Sequence, residues 1–571
     1  FLKMKKVNKI SLIAFTLVLA IIVGCNEDFL DSPAQASLDE GTLANDSGVE
    51  ASLIGTYSML DGWNGNNAAL APAWPTAGSN WIWGSVLSDD AYKGSDPGDQ
   101  QQTQILEIYE WEAGNQYYNN IYKSRYEGVA RANATIKLMN NAIENGENVS
   151  RAAAVEGEAK FLRSHFHFDA WKMWKNIPYV DETVTDYKMD NTEDILPKIK
   201  ADLQFAIDNL PEVQPNVGRA TKGSARSLLG KVLLFNKEYA AAKTQFDAVV
   251  NSGVYLLQDC FHDIFTTGGE NGTGMIFTIQ GSVNDGNGGS INGMFADRLN
   301  HPHGGSPFGC CGFHQPSHNL VNAHKVDSKG LPFLDKSYNN ADVTIDDVVD
   351  PRLDWTVGRD DVPFLTWGRH EPTWIRNRPF GGPFSPKKFI HEPNEISNVG
   401  WSNKQLSPLN IPIIRYADVL LMLAETEIEV GSLERARELV NMIRLRAAGC
   451  AINSDGLATT DLNDPSISWA KYDVKPYTET WTDQETARAA VRFERRIELA
   501  LEGQRMFDLV RWGIAEQVIN NDYLPVEKTK RDYLIASPGF QSKHVLHPLP
   551  QAQIELSKVD GESTLKQNPG Y

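Results

Sequence analysis

Residues 220–253 read ATKGSARSLLGKVLLFNKEYAAAKTQFDAVVNSG, two apolar-periodic runs on either side of the polar turn NKEY. With Gly230 as origin, Leu229, Leu233, Ala242 and Phe246 fall at offsets −1, +3, +12 and +16. Residues three and four apart share one face of a helix, so each run predicts an amphipathic helix and the turn folds the second back on the first. A small residue on the first helix lets the second approach closely. The same offsets from Ala424 give Leu423, Glu427, Ala436 and Val440, around the turn VGSLE. Two helical pairs in one register predict a scaffold of stacked pairs, in which each pair packs against the next.

The 34-residue length of the first segment is that of a tetratricopeptide unit. Periodicity predicts further helices over 119–145, 151–174, 192–209, 483–502 and 504–512. From about 255 to 410 the chain changes character: GGENGTG, NDGNGGSING and HPHGGSPFGCCGFHQP interrupt any regular pattern. Loops this long inside a folded protein commonly carry function. The expected fold class is therefore mostly α, a tetratricopeptide-like helical-pair scaffold with a large irregular, loop-rich ligand face and little β. The expected organisation is a leader over 1–24, an N-terminal helical region with a Trp-rich loop over 25–254, the irregular region over 255–410 and a C-terminal helical region over 411–571.

The leader is read from Lys3, Lys5, Lys6 and Lys9 ahead of the apolar run from Ile10 to Val23. That run of 14 residues is short of the roughly 20 a bilayer-spanning helix needs, so it is expected to be a cleaved export signal. Phe1 to Lys3 are expected to lie upstream of a start at Met4. Ile22, Val23 and Gly24 before Cys25 resemble the lipobox of bacterial lipoproteins, which makes Cys25 the expected lipidation site and mature N-terminus. Several acyl chains hold a protein firmly, at about 0.8 kcal/mol per buried methylene. Asn26, Glu27 and Asp28 resemble the surface-export signal of Bacteroidetes lipoproteins, which implies a location on the outer face of the outer membrane.

The chain carries 54 basic and 73 acidic residues, a net charge of −19. Without the four leader lysines it stands at −23, a surface that repels phosphate backbones. No nucleic-acid partner is expected. Cys260, Cys310, Cys311 and Cys450 are too few for a disulfide scaffold and lack metal-finger spacing, so stability is expected from a large core. With 14 Trp, some rings are expected to serve a ligand.

Blocks spread along the chain resemble the SusD/RagB-type lipoproteins of Bacteroidetes. They are EGEAKFLRSHFHFDAWKMWKNIPYV (156–180), GRATKGSARSLLGKVLLF (218–235), DPRLDWTVGR (350–359), IRYADVLLMLAE (414–425), FERRIELALEGQRMFDLVRWG (493–513) and HPLPQAQIELSKVDGESTLKQNPGY (547–571). The resemblance implies an α fold containing tetratricopeptide units, a ligand face made of loops, no catalysis and no cofactor. It also implies a partner, a SusC-like TonB-dependent transporter, to which captured oligosaccharide or polysaccharide is delivered.

Three segments carry candidate chemistry. In APAWPTAGSNWIWGSVLSDDAYKGSD (71–96), Trp74, Trp81, Trp83 and Tyr92 stand among loop-forming residues. An indole can cover the apolar C–H face of a sugar while its N–H stays wet, and Asp89 and Asp90 can accept hydrogen bonds from vicinal hydroxyls. Trp81, Trp83, Tyr92, Asp89 and Asp90 are therefore expected ligand contacts. In GGSPFGCCGFHQPSHNL (304–320), His314 and His318, with His301 and His303 upstream and Cys310 and Cys311, invite a zinc reading. Adjacent cysteines and a proline-broken histidine segment do not match such a site, and no metal is expected. The resemblance places this segment at the ligand face, so Cys310, Phe313 and His314 are expected ligand neighbours. A Cys310–Cys311 disulfide stays open at this point. In residues 350–389, Arg376 is the expected fork onto sugar hydroxyls or a carboxylate. The run FERRIELALEGQRMFDLVRWG is expected to be structural, because Glu494, Arg495, Glu498, Glu502 and Arg505 recur at the three- and four-residue spacing of pairs along one helix.

The leading expectation is a lipid-anchored glycan-binding protein without enzymatic activity. A surface glycoside hydrolase, which needs two carboxyls about 5–9.5 Å apart, is the alternative. A helical-repeat interaction protein without a glycan ligand is a third.

Overall fold

The computed structural model describes residues 40–62, 73–286, 292–399 and 403–571. The leader and Cys25 lie outside the described residues. The chain divides into two compact units, residues 1–50 with 138–150, and residues 51–137 with 151–571. In the first, the Asp46 carboxylate accepts from the backbone N–H of Ser150 at 3.0 Å. All that follows concerns the second.

Its frame is a row of helices. We label the helices α1 (Asp46–Tyr57), α2 (Gln116–Glu144), α3 (Ala152–Trp174), α4 (Leu196–Asn209), α5 (Lys222–Phe235), α6 (Tyr239–Asn251), α7 (Tyr416–Val430), α8 (Leu433–Ala447), α9 (Gln484–Glu498) and α10 (Arg505–Arg511); α1 and α2 have residues in both units, and the row in this one is α3 to α10. α3 packs on α4, α4 on α5, α5 on α6, α6 on α7 and α7 on α8, while α9 lies against α7 and α8. The helical pairs α5/α6 and α7/α8 are those expected from the two matched registers, and the irregular region is inserted between them. Ala242, Phe246, Ala424, Ala436 and Val440 are fully buried. Among the described residues no helix is long and apolar enough to cross a membrane.

The close approach at Gly230 is literal. A Cβ there would sit 2.5 Å from the Phe246 ring. Gly230→Ala gains about 1 kcal/mol of helix propensity but forces that ring out of a packed core, which costs about 1–3 kcal/mol. A net loss read from the urea midpoint is expected; a midpoint equal to or above that of the parent would show that α5 and α6 separate freely.

Three helix ends differ from expectation by three residues or more, and α2 already begins at Gln116 rather than at 119. α4 starts at Leu196 rather than at 192, because the Asp194 carboxylate takes the Leu196 N–H at 3.1 Å and Pro197 occupies the first turn. α9 stops at Glu498 rather than at 502, since Leu501 and Gly503 take φ of +62° and +66°. A side chain at Gly503 would meet the Ser79 carbonyl at 1.9 Å, and one at Gly84 the Gly503 carbonyl at 1.8 Å. The backbone of 79–84 thus lies directly on the turn after α9.

The charges of α9 and α10 are structural, but their partners are not those of a single helix. Glu494 pairs with Arg352 and Arg444, Glu498 with Arg352, Arg415 and Arg446, and Arg495 with Asp418 and Asp508. Helical spacing places these groups on faces that are all buried, so each finds its counterion on a neighbouring segment.

The strands are short. We label β1 (Ala91–Gly94), β2 (Met275–Ile279), β3 (Phe313–Pro316) and β4 (Ile411–Arg415); β1 pairs antiparallel with β3 and β2 with β4. The second pair fastens the irregular middle to the start of α7.

Candidate functional site

The β1/β3 pair joins two of the three candidate segments. Ala91 faces Pro316, Tyr92 faces Gln315 and Gly94 faces Phe313. On the far side of β3, Gly312 and Phe313 donate to the carbonyls of His301 and Leu299 at 2.8 and 3.1 Å. The third segment arrives through Arg376, whose guanidinium reaches Asp96 at 2.5 Å, Asp99 at 2.8 Å and the Ser95 hydroxyl at 2.9 Å. Gln315 also donates to the Phe384 carbonyl at 2.9 Å. Residues distant in sequence therefore converge on one place.

Most of the expected contact residues point inward there. Trp81 and Trp83 are each 1% exposed. Trp81 packs edge-on against Phe313, with centroids 6.2 Å apart, and against His314. Trp83 donates its indole N–H to the Pro75 carbonyl at 2.7 Å and packs on Tyr118 and His547. Tyr92, Phe313 and His314 are buried too. Tyr92 gives its hydroxyl to Glu527 and lies under the Arg531 guanidinium, and burial pushes the His314 imidazole down to about 3. Asp89 accepts both forks of Arg505, at 2.8 and 3.0 Å, with Arg496 at 3.1 Å; Asp90 meets Arg496 at 3.1 Å. Burial would raise the Asp89 carboxyl, but Arg496 and Arg505 outweigh it and hold it at about 2. Trp81, Trp83, Asp89, Asp90, Tyr92, Phe313 and His314, expected as ligand contacts, are thus all buried in the structure. The physical reason is the glycine-on-glycine approach of 79–84 to Gly503, which presses this segment into the core despite its loop-like composition.

Cys310 stays half-buried and is disulfide-bonded to Cys311. Arg376 lies at the surface, held by Asp96 and Asp99. Among the described residues no group of three His, Cys, Asp or Glu is gathered to hold an ion.

One ring of the Trp-rich segment 71–96 does remain at the surface. Trp74 is half-buried and stacks on half-buried Phe295, with centroids 5.9 Å apart and planes 18° from parallel. The Arg298 guanidinium lies 5.0 Å from the first ring and 4.2 Å from the second. The segment carrying Phe295 and Arg298 runs on through Leu299 and His301, the two residues bonded to the start of β3. The ring pair and the Arg376 cluster are therefore ends of one continuous stretch. A further half-buried ring, Trp367, packs on Phe308 at 4.6 Å and donates to the His391 carbonyl. Phe295 and Arg298 carried no sequence signal as contacts; the one available hint was Pro75, which pins the turn holding Trp74.

The family profile described as "SusD family" matches residues 273–571, more than half of the chain. The chain belongs to the SusD family. A second profile, described as "Starch-binding associating with outer membrane", matches residues 66–234 of this SusD-family chain. A SusD-like protein of Formosa agariphila is 22% identical, over 98% of this chain and 99% of its own length. Among solved structures, a SusD-like protein of Bacteroides fragilis superposes with a TM-score of 0.67 at 20% identity, covering 94% of this chain and 99% of that one. Surface glycan-binding protein A of Bacteroides thetaiotaomicron, solved in complex with laminarihexaose, does so with a TM-score of 0.64 at 20% identity, covering 92% and 99%. These likenesses establish the SusD fold.

Proposed function

We propose that this protein is a non-catalytic glycan-binding lipoprotein of the cell surface, anchored to the outer membrane through Cys25. In this reading it captures oligosaccharide or polysaccharide and passes it to a SusC-like TonB-dependent transporter. The observation that carries the reading is the half-exposed Trp74–Phe295 pair under Arg298, at one end of the stretch where three loop segments meet. Flat rings match the C–H face of a pyranose. Support comes from the family, from the profile described as starch-binding and from the relative solved with laminarihexaose. Tethering makes weak capture useful by raising the local concentration of sites.

Affinity electrophoresis over a panel of laminarin, starch and plant, fungal and host polysaccharides tests this. Retention by at least one polymer is expected, and Trp74→Ala should weaken it by about 2 kcal/mol, some thirty-fold, as for a central aromatic contact. No reducing ends should appear on incubation with the retained glycan. Retention that is absent throughout, or indifferent to Trp74→Ala, would sink the reading, and release of reducing ends would replace it with a hydrolase.

A further inference from the structure

A second concave site lies at the α9–α10 end of the molecule. It is a pocket of about 240 Å³. Asp89, Arg496 and Arg505 are among its lining residues. Its walls are the rings of Trp512, Phe493 and Tyr338, the last two edge to face at 5.9 Å.

The pocket is cationic although the chain as a whole is acidic. Four cations line it, Lys336, Arg492, Arg496 and Arg505, against two carboxylates, Asp89 and Asp522. Both carboxylates are already engaged, Asp89 by Arg505 and Arg496, and Asp522 by Lys336 at 2.5 Å. Counting Asp90, which pairs with Arg496 from outside the lining, still leaves one positive charge in surplus. The protein as a whole carries −19.

That surplus sits on Arg492. Its neighbours on either side are satisfied: Arg488 takes Glu429 at 2.8 Å, and Arg511 takes Glu425 at 2.6 Å and Asp508 at 2.8 Å. Arg492 makes no direct ion pair among the described residues, although the carboxylates of Glu425 and Glu429 act on it from farther off, and its Nε is buried without an acceptor. The guanidinium lies over the Trp512 ring, 4.8 Å from the centroid. A buried donor left unmatched costs free energy, and a planar fork above an indole is built to receive a planar anion.

We propose that this pocket is a second ligand site, which takes a sugar unit bearing a carboxylate. The C–H face of the ring lies against Phe493, and the carboxylate accepts from the fork of Arg492. A neutral sugar would leave that fork unmatched. Its ligand class is thus distinct from anything the Trp74–Phe295 pair selects.

Calorimetric titration of the full chain with sodium glucuronate and, separately, with glucose tests the assignment. Glucuronate is expected to bind saturably at millimolar concentration, glucose at least tenfold more weakly. Arg492→Gln should lower glucuronate affinity about tenfold, and Arg492→Lys, which keeps the charge but not the fork, should fall between. Raising the ionic strength should weaken binding. Trp74→Ala should leave it unchanged, which separates this site from the proposed capture face. Absence of saturable glucuronate binding, equal affinity for glucose, an unaffected Arg492→Gln variant that folds like the parent, or loss in Trp74→Ala would each overturn the assignment.

Discussion

Replacing Glu498 by alanine is expected to destabilise the folded chain by about 3–5 kcal/mol, the cost of breaking a buried ion pair from one side. The measurement is a urea titration, with a lower midpoint at unchanged slope. Glu498 is fully buried and its carboxylate meets Arg415 at 2.5 Å, Arg352 at 2.9 Å and Arg446. Around them, Asp350 and Glu494 share Arg352, Glu494 also holds Arg444, and Glu502 holds Arg415 and Lys388. Five cations face four carboxylates, so removing one acid leaves two uncompensated charges in the interior. The exposed pair Lys471–Asp346 is the control; breaking it should change stability by less than about 1 kcal/mol. A Glu498→Ala midpoint that moves no more than the control would show that the cluster is solvated.

The same group gives a pH dependence. Burial alone would raise the Glu498 carboxyl, but the charges of Arg446, Arg415 and Arg352 outweigh it and hold it well below the ordinary range. A group depressed in the folded state contributes stability above its unfolded value, about 4.3 for Glu, and loses it as the pH falls toward its folded value. Asp89 behaves alike, held at about 2. Stability should therefore decline on acidification below about pH 5, and less steeply in Glu498→Gln than in the parent.

How much of this was legible beforehand depended on the range of the interaction. The helical pairs were, because Gly230 against Phe246 is a contact of low sequence separation and α7 and α8 pack as a second pair in the same register. Helix ends were less so, since α9 is cut short by Gly503 only because the backbone of 79–84 needs the space its side chain would fill. The charged run on α9 was rightly read as structural from its spacing alone, yet its counterions, from Asp89 to Asp508, come from segments that spacing cannot reach. The aromatic loop was the hardest. Trp74, Trp81 and Trp83 lie within ten residues and have the same chemistry. Which of them faces water is decided by Gly503, Phe313 and Phe295, hundreds of residues away. Arg492 was hidden for a related reason: the acids near it, Glu425 and Glu429, lie on α7 and are held by Arg511 and Arg488.

The second large effect concerns Cys260 and Cys450. The double variant Cys260→Ser/Cys450→Ser is expected to lose about 3–5 kcal/mol. Composition gave four thiols too few to scaffold the chain, but the bond they form spans 190 residues. The denatured chain loses more freedom the longer the loop a cross-link closes, about 4.7 kcal/mol for 100 residues and growing only logarithmically. One bond of this span thus rivals several short ones. It lies among Phe261, Phe265, Trp355 and Ile452 in a buried cluster, and ties the irregular region to the chain just beyond α8. The Cys310–Cys311 bond joins neighbours and closes almost no chain, so its double serine variant should leave the urea midpoint nearly unmoved. Alkylation of the unreduced protein followed by peptide mapping should recover a 260–450 cross-link. Disulfides persist in oxidising compartments, so protein made in a reducing cytoplasm should show the midpoint of the double variant. Free thiols at both positions in exported protein, or equal midpoints for parent and double variant, would remove the bond from any account of how this chain stays folded.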